Sequence, residues 1–272
     1  MHYQHSFHAG NFADVFKHLL LVLLLDVMSA KPKPWCFIDT HAGAGAYGLD
    51  TDPQIPGEWV SGIGRVWRAM PRDMALDRYL ALVHSLAGNG TQPGRYPGSS
   101  WFAARIARPG DALLASESVP EVAAQLRHSV PEAAVQVRDG YEMASLLPPA
   151  QRRGVVLIDP PFERADEFAA AQAFIRRAAP RFAGGVFALW YPLKNPHQAD
   201  HTLRGLARDG HRPVLDLRLD VGSRGDGKMH ACGLAVMNPP YGFAERAAPA
   251  IQEVAHWLAP EAQAQLHDVV AA

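Results

Sequence analysis

The sequence predicts an α/β protein built on a doubly wound, mainly parallel β-sheet. From Pro34 onward, short apolar runs that fit buried strands alternate with helical patterns, and this alternation is typical of parallel sheets. The last two apolar runs are joined by the glycine-rich stretch 222–227 without a helix, which predicts a terminal antiparallel hairpin. The 272 residues, of which 48% are hydrophobic and 19% charged, suit one large domain over residues 1–272, with or without an insertion.

Each predicted strand is a short apolar run that ends in a turn. The seven runs comprise residues 35–39, 112–116, 134–138, 154–158, 185–190, 214–219 and 233–237. The helical patterns between them cover residues 119–128, 165–179 and 197–208. A seven-stranded sheet whose last strand is reversed is the Rossmann-like topology of S-adenosylmethionine (SAM)-dependent methyltransferases, which is an analogy at the level of the fold.

Two segments fall outside this alternation. Residues 1–30 are interpreted as an N-terminal tail and helix, because residues 11–28 carry a continuous apolar face. Between the first two predicted strands, residues 59–70 and 74–86 have helical patterns, although a crossover needs only one helix. We therefore expect residues 49–95 to form a small inserted helical subdomain.

Composition limits the other classes of function. The longest apolar run, 19–25, is far shorter than the roughly 20 residues of a bilayer span, so we expect no membrane association. Cys36 and Cys232 lie in predicted strands, which indicates buried, reduced thiols and a cytoplasmic protein. No cysteine or histidine spacing fits a metal site. The net charge of −1 leaves nucleic-acid binding undecided.

The most informative motif follows the fourth predicted strand. An apolar run ends at Asp159, and Pro160 and Pro161 prevent its continuation before Phe162. The carboxylate and the Pro160 carbonyl group can accept the two hydrogens of an amino group, while the Phe162 ring stacks on a planar base. This arrangement is typical of SAM enzymes that methylate amino nitrogens. We therefore expect catalysis to depend on Asp159, Pro160 and Phe162.

Acidic residues also end the other predicted parallel strands, at the edge where open α/β sheets bind ligands. Asp39 ends the first strand, Glu117 ends the second, and Asp139 and Gly140 follow the third. The turn after Asp39 contains Gly43, which lets the backbone approach a ligand closely. These acids suit the cationic amino-acid group, the ribose hydroxyls and the adenine amino group of SAM, respectively.

A second copy of the proline motif follows the last predicted strand, as Asn238-Pro239-Pro240-Tyr241. Because that strand is predicted to be antiparallel, its carboxyl end points away from the edge that carries the acids. We therefore interpret this copy as a structural turn rather than as the catalytic motif.

The beginning of the chain carries a long and specific motif. Residues 3–18, Y-x-H-S-F-H-A-G-N-x-A-D-V-x-K-H, resemble the opening signature of the 23S ribosomal RNA adenine-N6 methyltransferase J (RlmJ) family. The similarity continues at residues 39–45, 96–99, 139–140, 152–154, 159–161, 188–192 and 238–240. It implies methyl transfer from SAM to N6 of one flipped-out adenine, position 2030 of 23S rRNA. Phe162 stands where the family usually has tyrosine.

The resemblance also implies which residues form the site. Together with the strand ends, it gives a cofactor-binding set of Lys17, His18, Asp39, His41, Gly43, Ser99, Glu117, Asp139, Gly140 and Asp159. Tyr3 matches a residue that meets substrate RNA, and His5 joins it in the tail. The implied partner is 23S rRNA, free or in assembly intermediates, and no obligate protein partner is implied.

Two other functions remain open. A DNA adenine-N6 methyltransferase shares the catalytic motif but generally needs a target-recognition domain, and residues 49–95 are few for one. A non-enzymatic RNA-binding protein with a decayed methyltransferase fold is disfavoured because every strand-end acid is present. For an RNA substrate, the candidate phosphate contacts are the arginines of the insert, namely Arg65, Arg68, Arg72, Arg78 and Arg95.

Overall fold

The computed structural model describes residues 8–49, 57–87, 90–210, 212–223 and 227–270. Its main sheet has eight strands in the order β10-β8-β9-β7-β6-β1-β4-β5, and a second sheet pairs β2 with β3. The strands are β1 (Cys36–Asp39), β2 (Ala46–Gly48), β3 (Arg95–Pro97), β4 (Ala112–Ser116), β5 (Ala134–Gln136), β6 (Gly154–Ile158), β7 (Gly185–Pro192), β8 (Val214–Asp220), β9 (Ala231–Met237) and β10 (Gln263–Asp268).

The parallel half of the sheet is buried on both faces. In β6, Val155, Val156 and Leu157 are fully buried, as expected for a strand with a continuous apolar run. β1 lies parallel between β4 and β6, so that Asp39 is level with Leu157. The C-terminal ends of these strands therefore meet at one edge of the sheet.

The strand order confirms the predicted methyltransferase topology. Of the seven strands from β5 to β8, six run in one direction, and only β9, which lies between β7 and β8, runs in the opposite direction. The eighth strand, β10, pairs antiparallel with β8 and is not predicted from the sequence. Its six residues include only two apolar side chains, Ala264 and Leu266, so the apolar pattern is too weak to indicate a strand.

The helices surround this sheet. They are α1 (Phe12–Ser29), α2 (Ile63–Val66), α3 (Met74–Ala87), α4 (Ser99–Ile106), α5 (Pro120–Ser129), α6 (Glu167–Ala178), α7 (Pro196–Gly210) and α8 (Phe243–Leu258). The prediction of one helix over residues 59–70 is wrong, because Gly62, with φ −112° and ψ −108°, separates a 3-10 turn at Glu58–Ser61 from α2. α4 and α8 are not predicted from the sequence.

Helix α1 is the element that joins the N-terminal region to the rest of the core. It begins after Asn11, whose side chain accepts the Asp14 N–H at 2.9 Å. It packs against α3, α4 and α8. Trp59 and Leu76 of residues 49–95, called the inserted segment, are buried in the same core. Within the described ranges, no helix is long and apolar enough to cross a membrane.

Candidate active site

A cleft of about 630 Å³ lies at the C-terminal edge of the parallel strands. The start of α1, the 3-10 turn at Glu58–Ser61, and the segments after β1, β6 and β7 form its walls. Seven of the residues expected from the sequence line it, namely Lys17, His18, His41, Ser99, Asp159, Pro160 and Phe162.

The centre of the cleft contains an ion-paired carboxylate. β6 ends at Ile158, and the following Asp159 receives a hydrogen bond from Nζ of Lys17 at 2.6 Å. Nζ also donates to Oδ1 of Asp14 at 2.8 Å. Burial lowers the pKa of Lys17, but Asp14 and Asp159 outweigh burial and raise it well above its ordinary value. Lys17 is therefore a permanent cation held between two carboxylates.

Only one oxygen atom of Asp159 is used in this way. Oδ2 bonds to Lys17, whereas Oδ1 makes no hydrogen bond to the part of the chain that the structure describes. The carbonyl group of Pro160, likewise, accepts none from those residues. The two acceptors proposed from the motif thus remain available at the cleft.

The aromatic ring of the motif sits in an unusual backbone conformation. Phe162 has φ +51°, a region that non-glycine residues rarely adopt and that clusters at functional sites. Its ring packs edge-on against Phe168, at 5.0 Å between centroids, and against Trp190, at 5.8 Å. Trp190 also lines the cleft. The half-buried Phe162 ring is therefore held in place beside Asp159.

Asp39 lies directly behind the wall of the cleft. Its Oδ2 accepts hydrogen bonds from the hydroxyl groups of Ser99 at 2.6 Å and Ser100 at 2.8 Å. Its Oδ1 is buried and has no partner among the described residues. Burial raises the pKa of Asp39 to about 6, although the two serine hydrogen bonds lower it. An orphaned buried carboxylate oxygen is a strong acceptor for a ligand.

The glycine-rich turn after β1 contacts the end of the neighbouring strand. Glu117 accepts the N–H groups of Gly43 at 3.1 Å and Val119 at 2.9 Å. A Cβ atom at Gly43 would lie 2.0 Å from the Tyr47 hydroxyl oxygen, and the residue has φ +61°, so glycine is required there. Glu117 and Gly43 do not line the main cleft. They lie beside it, at the same C-terminal edge of the sheet.

Asp139 and Gly140 lie further along the same edge. Asp139 caps the 3-10 helix Gly140–Leu146 by accepting the Tyr141 N–H at 2.8 Å. A Cβ atom at Gly140 would lie 2.0 Å from the carbonyl oxygen of Thr40, so this segment packs directly on the turn after β1. The strand-end residues therefore form one continuous row, although only some of them line the cleft.

Several cleft residues are not identified by sequence reasoning. Glu58 accepts hydrogen bonds from His8 at 2.9 Å and from Asn11 at 3.1 Å, and it fastens the start of α1 to the inserted segment. Asp14 could have been identified by its position three residues before Lys17 on one helix face, whereas nothing local indicates Glu58. Tyr3 and His5, the expected RNA contacts, lie outside the described residues.

The second proline motif lies at the opposite edge of the sheet. Asn238 follows β9, and its side chain donates to the carbonyl oxygen of Gly185 at the start of β7, at 3.0 Å. Tyr241 is 97% exposed. The motif is therefore remote from the C-terminal edge that carries Asp159.

Comparison with known proteins agrees with this geometry. The family described as "Ribosomal RNA large subunit methyltransferase D, RlmJ" matches residues 32–269. The ribosomal RNA large subunit methyltransferase J of Haemophilus influenzae is 35% identical over 267 residues, covering 95% of this chain and 94% of the relative. The protein of the same name from Escherichia coli is 36% identical over 262 residues, covering 94% and 92%.

A solved structure shares the complete fold. The crystal structure of a Legionella pneumophila protein is 30% identical, has a TM-score of 0.87, and is matched over 96% of this chain and 98% of its own. The N-terminal motif, the row of strand-end acids and these matches converge, and the chain belongs to the ribosomal RNA large subunit methyltransferase J (RlmJ) family.

Proposed function

We propose that this chain transfers a methyl group from SAM to the N6 amino group of one adenine in 23S rRNA. The observation that carries the proposal is the combination of Asp159, Pro160 and Phe162 at the cleft, where one carboxylate oxygen and one carbonyl oxygen accept no hydrogen bond from the described residues. Membership of the RlmJ family supports ribosomal RNA as the substrate class. It gives no support to the DNA alternative. With such a substrate, we propose that the protein acts in the cytoplasm.

The residues of the sheet edge fit SAM. Oδ1 of Asp39, which has no partner within the described ranges, suits the ammonium group of its methionine portion, since a buried carboxylate oxygen requires a donor. Glu117, Asp139 and Gly140 would hold the nucleoside portion, and Lys17, His18, His41, Gly43, Ser99 and Asp159 would border the remainder. When bound, SAM supplies the electrophilic methyl group.

The target nitrogen must be activated by position. The lone pair of adenine N6 is delocalised into the ring, and the base is hidden when it is stacked, so we infer that it is flipped out at a cost of a few kcal/mol. Phe162 stacks on the base, while Oδ1 of Asp159 and the Pro160 carbonyl accept the two N6 hydrogens. These bonds favour a tetrahedral nitrogen whose lone pair leaves the ring plane.

Lys17 determines which carboxylate oxygen acts. Because Nζ binds Oδ2 of Asp159, the other oxygen, Oδ1, is the acceptor for the base. The methylated nitrogen carries positive charge until it loses one proton, and the Asp159 carboxylate stabilises that charge and can take the proton late. The same ion pair makes Lys17 a positioning residue for the acceptor.

Three exposed cations line the cleft. They are Arg65 of the inserted segment, Lys194 after β7 and Lys228 before β9. Of the other insert arginines, Arg68 donates to the carbonyl oxygen of Thr91 at 3.1 Å, and Arg78 lies 3.8 Å from Asp26. We therefore assign phosphate contacts beside the flipped base to Arg65 and Lys194.

The inserted segment and the tail complete the proposed RNA surface. We propose that residues 49–95 and the N-terminal residues Tyr3 and His5 contact RNA. In support, His8, the first described residue, is hydrogen-bonded to Glu58 at the cleft. The bound RNA would be 23S rRNA, free or in an assembly intermediate.

The proposal is tested by transfer of tritiated methyl groups from SAM. We expect incorporation into unmodified 23S rRNA, none into duplex DNA, and none into 23S rRNA in which the target adenine is replaced by guanine. The Asp159→Ala variant is the control for contaminating activity. Incorporation into DNA, or equal incorporation into the adenine-free RNA, would contradict the proposal.

A further inference from the structure

A chain of three buried side chains leads from the inserted segment to the cleft. The hydroxyl groups of Tyr79 and Tyr96 lie 2.9 Å apart, and the Tyr96 hydroxyl lies 2.9 Å from Nδ1 of His18. The three rings pack around Phe102, at centroid distances between 5.1 and 6.5 Å. Both tyrosines are fully buried, whereas His18 lines the cleft. Since Nδ1 is used by Tyr96, Nε2 is the nitrogen left for a ligand.

The direction of these hydrogen bonds follows from their donors. Among the described residues, the Tyr79 hydroxyl has only Tyr96 as a partner, so its hydrogen is satisfied only when Tyr79 donates. Tyr96 then donates its own hydrogen to Nδ1 of His18. The reverse direction would leave the buried Tyr79 hydrogen without an acceptor, which is costly. The favoured direction makes Nδ1 an acceptor and leaves the imidazole proton on Nε2.

His18 is neutral in this environment. Burial, with a smaller contribution from the neighbouring Lys17, lowers its pKa to about 3, while Asp14 opposes the change. A neutral imidazole has one N–H donor, and its position is fixed by the bond made at the other nitrogen. In His18 that bond is made by Tyr96.

We propose that Tyr79 and Tyr96 are positioning residues, which hold His18 as the Nε2–H tautomer so that it donates a hydrogen bond into the cleft. The identity of the acceptor rests on the proposed function: we assign it to the carboxylate of SAM. That group has the strongest acceptor oxygens of the molecule, and a hydrogen bond to an ionised acceptor is stronger than one to a neutral acceptor. Tyr79 thus connects the inserted segment to cofactor binding.

The tautomer is measured directly by nitrogen NMR of the protein labelled with ¹⁵N in its histidine rings. The His18 signals are assigned by their loss in His18→Gln. Without ligand and between pH 6 and 8, we expect an unprotonated Nδ1 and a protonated Nε2. A protonated Nδ1, or an imidazolium ring, would overturn the proposal while leaving the methyltransferase activity untouched.

Two amide substitutions test which nitrogen matters. In His18→Gln the amide nitrogen takes the place of Nε2, so we expect SAM affinity by calorimetry to stay within about threefold of wild type. In His18→Asn the amide lies at the level of Nδ1, and we expect a loss of at least tenfold. Equal affinities in the two variants would overturn the donor role of Nε2.

The acceptor is tested with decarboxylated SAM as a second probe. His18→Asn should weaken SAM but leave the affinity for the decarboxylated analogue unchanged. Equal weakening of both ligands would overturn the assignment to the carboxylate. If wild-type protein binds neither ligand, the proposed function itself fails, which distinguishes the two results.

The tyrosines are tested by removing single hydroxyl groups. Tyr96→Phe should weaken SAM about fivefold, the size of one neutral hydrogen bond, and should broaden or shift the Nδ1 signal. Tyr79→Phe should have a smaller effect in the same direction. Tyr191→Phe, which removes another buried hydroxyl, bonded to Asp216, is the matched control and should leave SAM affinity unchanged. Wild-type affinity and an unchanged Nδ1 signal in Tyr96→Phe would contradict the role of the tyrosines.

Discussion

Nζ of Lys17 lies 2.6 Å from Oδ2 of Asp159, although the two residues are 142 positions apart in the chain. The contact joins the second turn of α1 to the loop after β6, and the same ammonium group also binds Asp14. The position of the proposed catalytic carboxylate therefore depends on the docking of the N-terminal helix. A single side chain couples the N-terminal motif to the Asp-Pro-Pro motif.

The first prediction concerns this ion pair. Lys17→Met keeps most of the apolar stem but leaves Asp14 and Asp159 as uncompensated neighbours. We expect kcat to fall at least tenfold and the free energy of unfolding in urea to fall by about 1–3 kcal/mol, below the usual cost for a fully buried pair because both carboxylates are partly exposed. Lys33→Met, at an exposed position before β1, is the control. Full turnover by Lys17→Met would remove the pair from the mechanism.

The second prediction distinguishes the two oxygens of Asp159. Asp159→Ala should abolish transfer without loss of folding. The amide of Asp159→Asn has a single oxygen, which Lys17 will bind, so the NH₂ group will face the base where an acceptor is needed. We therefore expect turnover at or near the level of the alanine variant. Adding Lys17→Met should let the amide rotate and should restore part of the activity. If Asp159→Asn is more active alone than in the double variant, Oδ1 is not the acceptor.

The third prediction separates the two proline motifs. Phe162→Ala should weaken RNA capture by about 1–3 kcal/mol, the scale of one base–aromatic stack, with little change in SAM affinity. Tyr241→Ala, at the opposite sheet edge, should leave RNA affinity and turnover unchanged. The measurements are RNA binding by fluorescence anisotropy and methyl transfer below substrate saturation. Loss of transfer in a folded Tyr241→Ala protein, with an active Phe162→Ala protein, would show that the second proline motif carries the reaction.

The fourth prediction follows from the raised pKa of Asp39. Its carboxyl group has a pKa of about 6 in the folded protein and an ordinary value of 3.8, so the folded state holds the proton more tightly. Stability therefore decreases as pH rises from about 4 to about 6, by roughly 3 kcal/mol for this group alone. An ammonium group at Oδ1 would favour the ionised form. We expect SAM binding near pH 5.5 to release a proton and affinity to increase toward neutral pH.

Calorimetry in two buffers of different ionisation enthalpy measures that proton release. The substituted side chain of Asp39→Asn cannot ionise, so this variant should bind SAM more weakly and without releasing the proton that wild-type Asp39 releases. Proton release that is the same in wild type and Asp39→Asn would show that Oδ1 does not meet the ammonium group.

The sequence predicts those features that depend on local pattern. The apolar run of β6 and the prolines after Asp159 locate the edge of the sheet, and the residues after parallel strands must meet there. The alternation of strands and helices likewise predicts a mainly parallel sheet. β10, by contrast, is an edge strand with few apolar residues, and only its pairing with β8 defines it.

Contacts between distant segments are not predicted in the same way. The Lys17–Asp159 pair and the Tyr79–Tyr96–His18 chain depend on how α1 and α3 pack, which no local spacing determines. The expected helix at 59–70 fails because the conformation of Gly62 is required by close packing: a Cβ atom there would lie 2.1 Å from the carbonyl oxygen of Gly10. Tertiary packing thus overrides the helical pattern.

The most direct test of the central claim is the chemical identity of the methylated nucleoside. Unmodified 23S rRNA is incubated with SAM and the wild-type protein, digested to nucleosides and analysed by mass spectrometry, with Asp159→Ala in parallel. The account predicts one N6-methyladenosine per rRNA with wild-type protein and none with the variant. A methyl group on adenine carbon, on cytosine or on ribose, or N6-methyladenosine formed equally by Asp159→Ala, would contradict it.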